Sequence, residues 1–291
     1  MLMAIPNVSE GRDSVLVDRL RVAFSRSASV VDTHVDADHN RSVFTLAGAQ
    51  GTLADALVEG AAAAVEAIDL TVHDGVHPCV GALDVMPVVH LDDERRGAAC
   101  AEAITAAARV GDELELPVFL YGRLATRPEH TERADLRRGG WRGLAERMER
   151  GELVPDFGPP RAHPTAGAVL ATARPPLVAF NVDLDSDDLE LARAIAADIR
   201  ESAPGGLAGV RAIGLLLDER GRAQVSTNVH DHRVTPLAAI VDAVRDRAPV
   251  AEAELVGLAP EAAFEGFPSD VPLRGFDPAR HLIENALRSD P

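Results

Sequence analysis

The sequence contains no lysine, so all 29 of its basic residues are arginines. Acidic residues number 46, and the formal net charge at neutral pH is −17. A surface with that excess of negative charge repels phosphate backbones and anionic lipid headgroups. The charge therefore argues against nucleic acid and against a membrane surface as binding partners.

Cysteine, aromatic residues and long apolar runs are also scarce. The two cysteines, Cys79 and Cys100, are too few for a disulfide framework and fit a reducing cytoplasm. No run approaches the ~20 apolar residues of a membrane-spanning helix. The N-terminal residues have neither a basic n-region nor a long apolar run, so no signal peptide is expected. We therefore expect a cytoplasmic protein. Because aromatic residues make up only 3% of the chain, its core is expected to consist mainly of Ala, Val, Leu and Ile.

In the first half of the chain, short apolar runs alternate with stretches of helical periodicity. A length of 291 residues with 46% hydrophobic residues suits one large globular domain or two modest ones. The pattern predicts strands at 1–8, 30–35, 42–47, 82–91 and 117–121. It predicts helices at 14–24, 52–68, 92–110 and, in a short irregular form, 135–148.

The second half repeats the alternation of strands and helices. It predicts strands at 177–182, 210–217, 222–229 and 251–256, of which the middle two form a hairpin. It predicts helices at about 187–200, capped by Ser186, and at 236–245. This β-α-β-β-α-β order is the ferredoxin-like arrangement. Between the halves, "DFGPPRAHP" (156–164) is a linker or a binding loop. We expect an α/β (α+β) chain of two ferredoxin-like-type subdomains, 1–174 and 175–291. Each is expected to be a mixed or antiparallel sheet with helices packed on it.

Two histidines four residues apart lie in the stretch "HDGVHPCVGALDV" (73–85). On a helix, His73 and His77 would share a face and could bind a metal ion. Gly75 and Pro78 argue against a helix there, and the spacing matches none of the specific metal-site motifs. A metal site would also need a third ligand, for which the candidates are His34, Asp36, Asp38 and His39.

Acid–base chemistry is a second interpretation of His77, because an imidazole has an unperturbed pKa of ~6.5. Asp36 or Asp38 could supply a carboxylate that fixes its tautomer. A third interpretation is structural, with the ring capping a turn, and spacing alone leaves all three open. Cys79 also offers a thiol nucleophile with His77 as its base, although such a thiol is more often simply buried.

Several ordered blocks carry a resemblance to a known family. They begin with "IPNVSEGR" (5–12), "DADHNRSVFTLAG" (36–48) and "HDGVHPCVGALDVMP" (73–87), and they continue with "PVFLYG", "PDFGP", "LVAFNVDL", "AIGLLLDERGRAQVSTNVHDHRVTPL" and "LVGLAP". On these blocks the chain resembles the formiminotransferase domain family from about residue 4 to "FDPARHLIE" (276–284).

The resemblance implies a transferase of one-carbon metabolism and histidine degradation. Its two subdomains would enclose a folate-binding tunnel, and it would move a formimino group from N-formimino-L-glutamate to N5 of tetrahydrofolate. Tetrahydrofolate would be a co-substrate, no metal is expected, and a homodimer is a further expectation. The cyclodeaminase domain that accompanies some family members is expected to be absent.

The resemblance also assigns residues. The catalytic histidine falls on His77, and an assisting aspartate falls on Asp36 or Asp38. The folate-contacting loop falls on about 158–167. The implied folate-binding residues are Asn40, Arg41, Gly158, Pro159, Arg161, His163 and Gly167.

The chain departs from the family pattern around this site. Cys79 stands where the family usually carries arginine, and Val76 stands where a glutamate is common. The 158–167 loop lacks the expected aromatic residue, and "GAVLATARPP" lacks the glycine usual before "AR". Loss of an arginine fork removes a bidentate carboxylate partner, which Arg41 or Arg161 could replace.

Three other functions stay open at this point. The same proton shuttle would serve a formyl transfer, because that reaction also passes through a tetrahedral carbon. A folate- or metabolite-binding protein without catalysis is the second alternative, favoured slightly by Cys79. A metal-dependent hydrolase using the histidine and aspartate cluster is the third.

Overall fold

The computed structural model describes residues 1–288. The chain divides into two compact units, Met1–Pro175 and Pro176–Pro291. Each unit builds a β-sheet with helices packed on it, which confirms the expected α/β class with two subdomains. Across the described part of the chain, no helix is both long enough and apolar enough to cross a membrane.

Along the first unit, strands and helices alternate much as the periodicity predicts. Its strands are β1 (Leu2–Ala4), β2 (Asn7–Val8), β3 (Ser29–Asp36), β4 (Arg41–Gly48), β5 (Leu83–Val89), β6 (Val118–Leu120) and β7 (Val169–Arg174). Its helices are α1 (Ser14–Phe24), α2 (Thr52–Ala67), α3 (Arg96–Glu113), α4 (Arg133–Leu136) and α5 (Gly140–Glu149).

The described strands of this unit form one seven-stranded mixed sheet. β3 and β4 make an antiparallel hairpin, and β4 pairs with β1 and β2, which in turn pair antiparallel with β5. β7 lies parallel between β5 and β6 and extends the sheet beyond a ferredoxin-like unit. β7 was not predicted from the sequence, because a strand buried on both faces shows no alternation of polar and apolar residues.

Helices α1, α2 and α3 cover one face of this sheet. The side chains in this core include Leu20, Phe24, Leu46, Leu53, Leu57, Met86, Val88, Ala103, Ala107 and Val169. Buried Glu102 of α3 is the polar exception, since its carboxylate accepts hydrogen bonds from the N–H groups of Gly51 and, at 2.8 Å, Ala54. Glu102 therefore caps α2, whose N-cap Gly51 has no side chain for that purpose.

The other face of β5, β6 and β7 is covered by α4 and α5. The core there consists of Val80, Val85, Phe119, Tyr121, Leu136, Leu144, Met148, Leu153, Ala168 and Leu170. The predicted helix 135–148 is divided because Gly139 and Gly140 have φ angles of +80° and +65°. That left-handed conformation suits glycine and ends a right-handed helix.

The second unit is an antiparallel sheet in the order β11-β8-β10-β9. Its elements are β8 (Val178–Leu184), α6 (Leu189–Ile199), β9 (Val210–Leu217), β10 (Arg222–Val229), α7 (Leu237–Arg245), β11 (Val250–Val256), α8 (Pro278–His281) and α9 (Ile283–Ala286). The predicted cap Ser186 is wrong. Asp188 caps α6, because its carboxylate accepts from the Leu191 N–H at 2.9 Å.

We predict that Gly60→Ala destabilises the first unit, because the added Cβ would lie 1.9 Å from Cε1 of Phe24. Phe24 is buried against Phe44, with ring centroids 5.0 Å apart, so the ring has little room to move. Overpacking of this kind costs about 1–3 kcal/mol of unfolding free energy. Denaturant titration of the wild type and the variant measures this loss of unfolding free energy.

Gly97→Ala is the matched control, because an added Cβ at this helical glycine meets nothing within 4 Å. Its substitution should be neutral or stabilising by up to about 1 kcal/mol. Equal effects of the two substitutions would contradict the tight packing of α1 on α2.

Candidate active site

The segment that carries His77 runs without helical structure into β5, as Gly75 and Pro78 predict. It packs on the turn between β3 and β4. An added Cβ at Gly75 would lie 2.6 Å from the carbonyl oxygen of His39, and the Val76 N–H donates to the Asp38 carbonyl at 3.3 Å. The structure therefore brings the turn that holds Asp36 and Asp38 against the His77 segment.

Asn40, at the end of this turn, fastens three segments together. Its side-chain oxygen accepts from the Gly11 N–H at 2.9 Å, and its amide nitrogen donates to the Asp74 carbonyl at 2.8 Å. Its φ of +45° is a left-handed conformation that asparagine tolerates better than most residues. Asp36 shapes the same turn, since its carboxylate accepts from the His39 N–H at 2.8 Å.

The ring of His77 has a defined tautomer. Its Nδ1 lies 2.9 Å from the carbonyl oxygen of Pro78, which can only accept, so Nδ1 carries the proton. Nε2 of the neutral ring then bears a lone pair that can take up a proton. The expected partner for the ring was a carboxylate, but a backbone carbonyl holds Nδ1 instead. The ring of His39 lies beside it, with centroids 5.6 Å apart.

Burial lowers the pKa of His77 well below its ordinary value, and four neighbouring groups act in the same direction. They are Arg41, Arg137, His39 and Arg133. Because both burial and positive charge oppose protonation, the ring is neutral at neutral pH. The site therefore holds a histidine in the form that a general base requires.

Asp84 lies at the centre of the positive groups and is wholly buried. Its carboxylate accepts from Arg41 at 2.7 Å, from Arg137, and from the Val80 N–H at 2.8 Å. Burial acts to raise the pKa of Asp84, but the charges of Arg137 and Arg41 outweigh it and hold the pKa below its ordinary value. Asp84 is therefore ionised, and it fixes one arginine from β4 and one that follows α4.

The guanidinium of Arg41 is shared between Asp84 and Asn7. Its Nε and one terminal nitrogen donate to the side-chain oxygen of Asn7 at 3.1 and 2.9 Å. Arg41 therefore forms part of the buried network, whereas Arg161, the other candidate for a substrate carboxylate, is exposed.

Cys79 is half-buried. Burial raises the pKa of the thiol, and the negative charge of Asp84 raises it further. A thiolate is the nucleophilic form of cysteine, so the structure disfavours nucleophilic catalysis by Cys79.

Two glycines fix the ends of the 158–167 loop. Gly158 has a φ of +78°, and an added Cβ would lie 2.3 Å from the Leu116 carbonyl oxygen. Gly167 has a φ of +69°, and an added Cβ would lie 2.2 Å from the Val80 carbonyl oxygen. The Ala168 N–H donates to that same carbonyl at 3.0 Å. The predicted folate loop is therefore attached to the residue three positions after His77.

Within the loop, His163 and Gly167 exchange backbone hydrogen bonds of 2.8 and 3.0 Å. The Nδ1 of His163 accepts from the Ala166 N–H at 3.0 Å, so the proton of its neutral ring lies on Nε2. Pro159 is half-buried, and Arg161 is exposed. These residues form a compact hairpin whose outer side chains can contact a ligand.

Asp84 and Arg137 were not predicted as site residues from the sequence. The signal for Asp84 was one carboxylate within the otherwise apolar run 80–89, because a buried charge requires a partner. No comparable signal marks Arg137, which lies in an arginine-rich and mostly exposed segment. Its role follows only from the packing of α4 on the sheet.

We predict that Asp84→Asn lowers the unfolding free energy by about 3–5 kcal/mol, because it leaves Arg41 and Arg137 without their shared carboxylate. Asp18→Asn is the control. It breaks an exposed pair with Arg21 at 2.8 Å and should cost no more than about 1 kcal/mol. Similar losses in the two variants, measured by denaturant titration, would contradict the central role of Asp84.

Comparisons with known proteins agree with the resemblance. The model of the formiminotransferase domain, N-terminal subdomain, matches residues 1–174, and that of the formiminotransferase domain matches residues 179–266. Glutamate formimidoyltransferase of Streptococcus pyogenes serotype M1 is 38% identical over 292 residues, which is 97% of each chain. Its namesake from Thermoplasma acidophilum is 37% identical and covers 90% of this chain and 89% of its own length.

The match extends to larger proteins. Formimidoyltransferase-cyclodeaminase of Mus musculus is 36% identical over 276 residues, covering 89% of this chain and 50% of the mouse protein. Two family models and relatives above 30% identity thus span nearly all of the sequence. The chain belongs to the formiminotransferase domain family.

Proposed function

We propose that this protein transfers a formimino group from N-formimino-L-glutamate to N5 of tetrahydrofolate. The names of the two full-length relatives support the reaction class and the amino acid. The observation that carries the proposal is the neutral ring of His77, which has its Nε2 lone pair available and lies three residues from the attachment of the 158–167 loop.

The reaction moves one carbon between two nitrogens. N5 of tetrahydrofolate attacks the carbon of the donor's protonated amidine. The C=N electron pair moves onto the terminal nitrogen, the carbon becomes tetrahedral and N5 acquires the positive charge. Nε2 of His77 takes the N5 proton and returns it to the glutamate nitrogen. The bond from carbon to that nitrogen then breaks, which gives 5-formimino-tetrahydrofolate and glutamate with no net gain or loss of protons.

A single histidine suits this exchange because it first acts as base and then as acid. Such proton transfer contributes about 10²–10⁴-fold to a rate. Holding the two substrates together can contribute more, up to about 7–11 kcal/mol of the barrier. Asp36 or Asp38 on the adjoining turn would support the charged ring, and the 158–167 loop with Asn40 and Arg41 would position the folate.

We also propose subdomain boundaries at 1–174 and 175–291, a cytoplasmic location and pairing of chains as a homodimer. The free thiols of Cys79 and Cys100 support a reducing compartment. Light scattering of the purified protein tests the homodimer.

We predict that His77→Gln lowers kcat by about 10²–10⁴-fold, because it removes the proton carrier. His73→Gln is the control in the same segment and should retain at least a tenth of the activity. A stopped assay with N-formimino-L-glutamate and tetrahydrofolate measures both. Full activity of His77→Gln would exclude the assigned role, and faster turnover with N-formyl-L-glutamate would favour formyl transfer.

The same ring should set the pH dependence. Since burial and the nearby arginines lower its pKa, kcat/KM of the free enzyme should stay level as the pH falls through 6.5 and decline only in more acid solution. The unfolded ring gains its proton near pH 6.5, so acidification below that value also favours unfolding. An acid limb centred at or above 6.5 would argue against His77 as the base.

We predict that Gly158→Ala weakens tetrahydrofolate binding by about tenfold or more, because its Cβ would displace the loop from the Leu116 carbonyl. Gly151→Ala is the control, since Gly151 has a φ of +70° but open space around it. Calorimetric titration with tetrahydrofolate measures both affinities. Equal affinities for tetrahydrofolate in the two variants would contradict a role of the loop in folate binding.

A further inference from the structure

Two arginines besides Arg41 and Arg137 lie on the sheet face that α4 covers. Arg174 ends β7, and side chains two and four residues before it on that strand, Thr172 and Leu170, share its face. Leu170 packs in the core under α4, and Thr172 Oγ1 donates to the carbonyl of Tyr121 at 2.8 Å. Arg174 therefore lies on the face that α4 covers, two residues beyond the contact between Thr172 and Tyr121 and opposite Val89 of β5.

Arg133 reaches the same region from α4. The Gly122 N–H donates to the Thr131 carbonyl at 3.1 Å, which holds the start of α4 against the end of β6. Leu136 anchors the helix in the core, and Arg137 after it contacts Asp84. Arg133 lies four residues before Arg137, on the same side of the helix.

The positive charges in this region exceed the negative ones. Asp84 alone is shared by Arg41 and Arg137, and the buried Nε of Arg137 has no hydrogen-bond partner. Among residues 1–288, neither Arg133 nor Arg174 forms an ion pair, and Arg174 donates only to the Pro175 carbonyl at 3.0 Å. Arg133 and Arg174 are half-buried, and a buried polar atom such as Nε of Arg137 is costly to leave without a partner. A bound anion would therefore offset the positive charge of this region.

The pKa shifts of these arginines agree with an excess of positive charge. Burial lowers the pKa of Arg137 and of Arg174 to about 10 in each case, and the charge of Arg133 acts on both. Arg133 and Arg137 also act on His77. The geometry places Arg137 at the His77 segment, because Arg137 and the Val80 N–H donate to the same carboxylate, that of Asp84.

We propose that Arg133, Arg137 and Arg174 form a carboxylate subsite beside His77 that holds the amino-acid part of the donor. This inference rests on the proposed function. A guanidinium group binds a carboxylate through paired N–H groups. Several arginine side chains together therefore favour a formimino donor that carries two carboxylates over one that carries a single carboxylate. The subsite would replace the arginine fork that Cys79 cannot supply.

The glutamyl tail of tetrahydrofolate is another source of carboxylate, and kinetics distinguish the two. In Arg174→Gln and Arg133→Gln, we expect the KM for N-formimino-L-glutamate to rise about 10–100-fold while the KM for tetrahydrofolate changes less than threefold. The KM for N-formiminoglycine, which has one carboxylate, should rise much less in the same variants. A rise confined to the KM for tetrahydrofolate would overturn the assignment to the donor.

Arg138→Gln is the matched control, since this arginine adjoins Arg137 but is exposed and pairs with Asp135. It should leave both KM values unchanged. The melting temperatures of the ligand-free variants distinguish a loss of substrate binding from a loss of protein stability. Arg174→Gln should melt at or above the wild-type temperature, because it removes an unpaired charge, and a marked fall in melting temperature would indicate a structural role and overturn the subsite.

Calorimetric titration with L-glutamate, the product, tests the subsite without turnover. Wild-type protein should bind L-glutamate, and both glutamine variants should lose about tenfold or more in affinity. If no formimino donor is turned over but this loss is found, the subsite stands and the proposed function fails. If turnover is normal and the variants bind L-glutamate as the wild type does, the subsite fails and the proposed function stands.

Discussion

The ionised carboxylate of Asp84 is the interaction on which the candidate site depends. It is wholly buried, and it joins an arginine of β4, an arginine that follows α4 and the backbone at Val80. A charge in that position is tolerable only because two guanidinium groups and an N–H surround it. The same network fixes where the segment containing His77 enters the sheet, so the geometry of the histidine follows from the pairing of Asp84.

Positive charge and burial together explain the chemical state of His77. The protein as a whole is strongly acidic, yet the surroundings of this ring are basic. A local excess of arginine in an acidic protein attracts anions to one place and leaves the remaining surface repulsive to them. A negatively charged substrate that entered would offset the arginines and raise the basicity of the ring when a proton must be taken up.

Most of the fold could be predicted from sequence, because helices and half-buried strands leave clear periodicities. β7 escaped because both of its faces are buried, and the 135–148 helix was divided by the backbone conformation of Gly139 and Gly140. The His77 segment could be located from its glycine, proline and histidines. The arginine network could not, because sequence spacing does not show that Arg137 meets Arg41 at the carboxylate of Asp84 when α4 packs on the sheet.

The attachment of the 158–167 loop to Val80 has a consequence for how the two substrates bind. The loop ends against the Val80 carbonyl. Val80 lies three residues after His77 in the chain, and its N–H donates to the carboxylate of Asp84. Under the proposed function, a folate bound to this loop would restrict the histidine segment through these contacts, and the second substrate would then lose less conformational entropy on binding. Thermodynamic reciprocity would then make each substrate strengthen the binding of the other by the same factor, without direct contact between them.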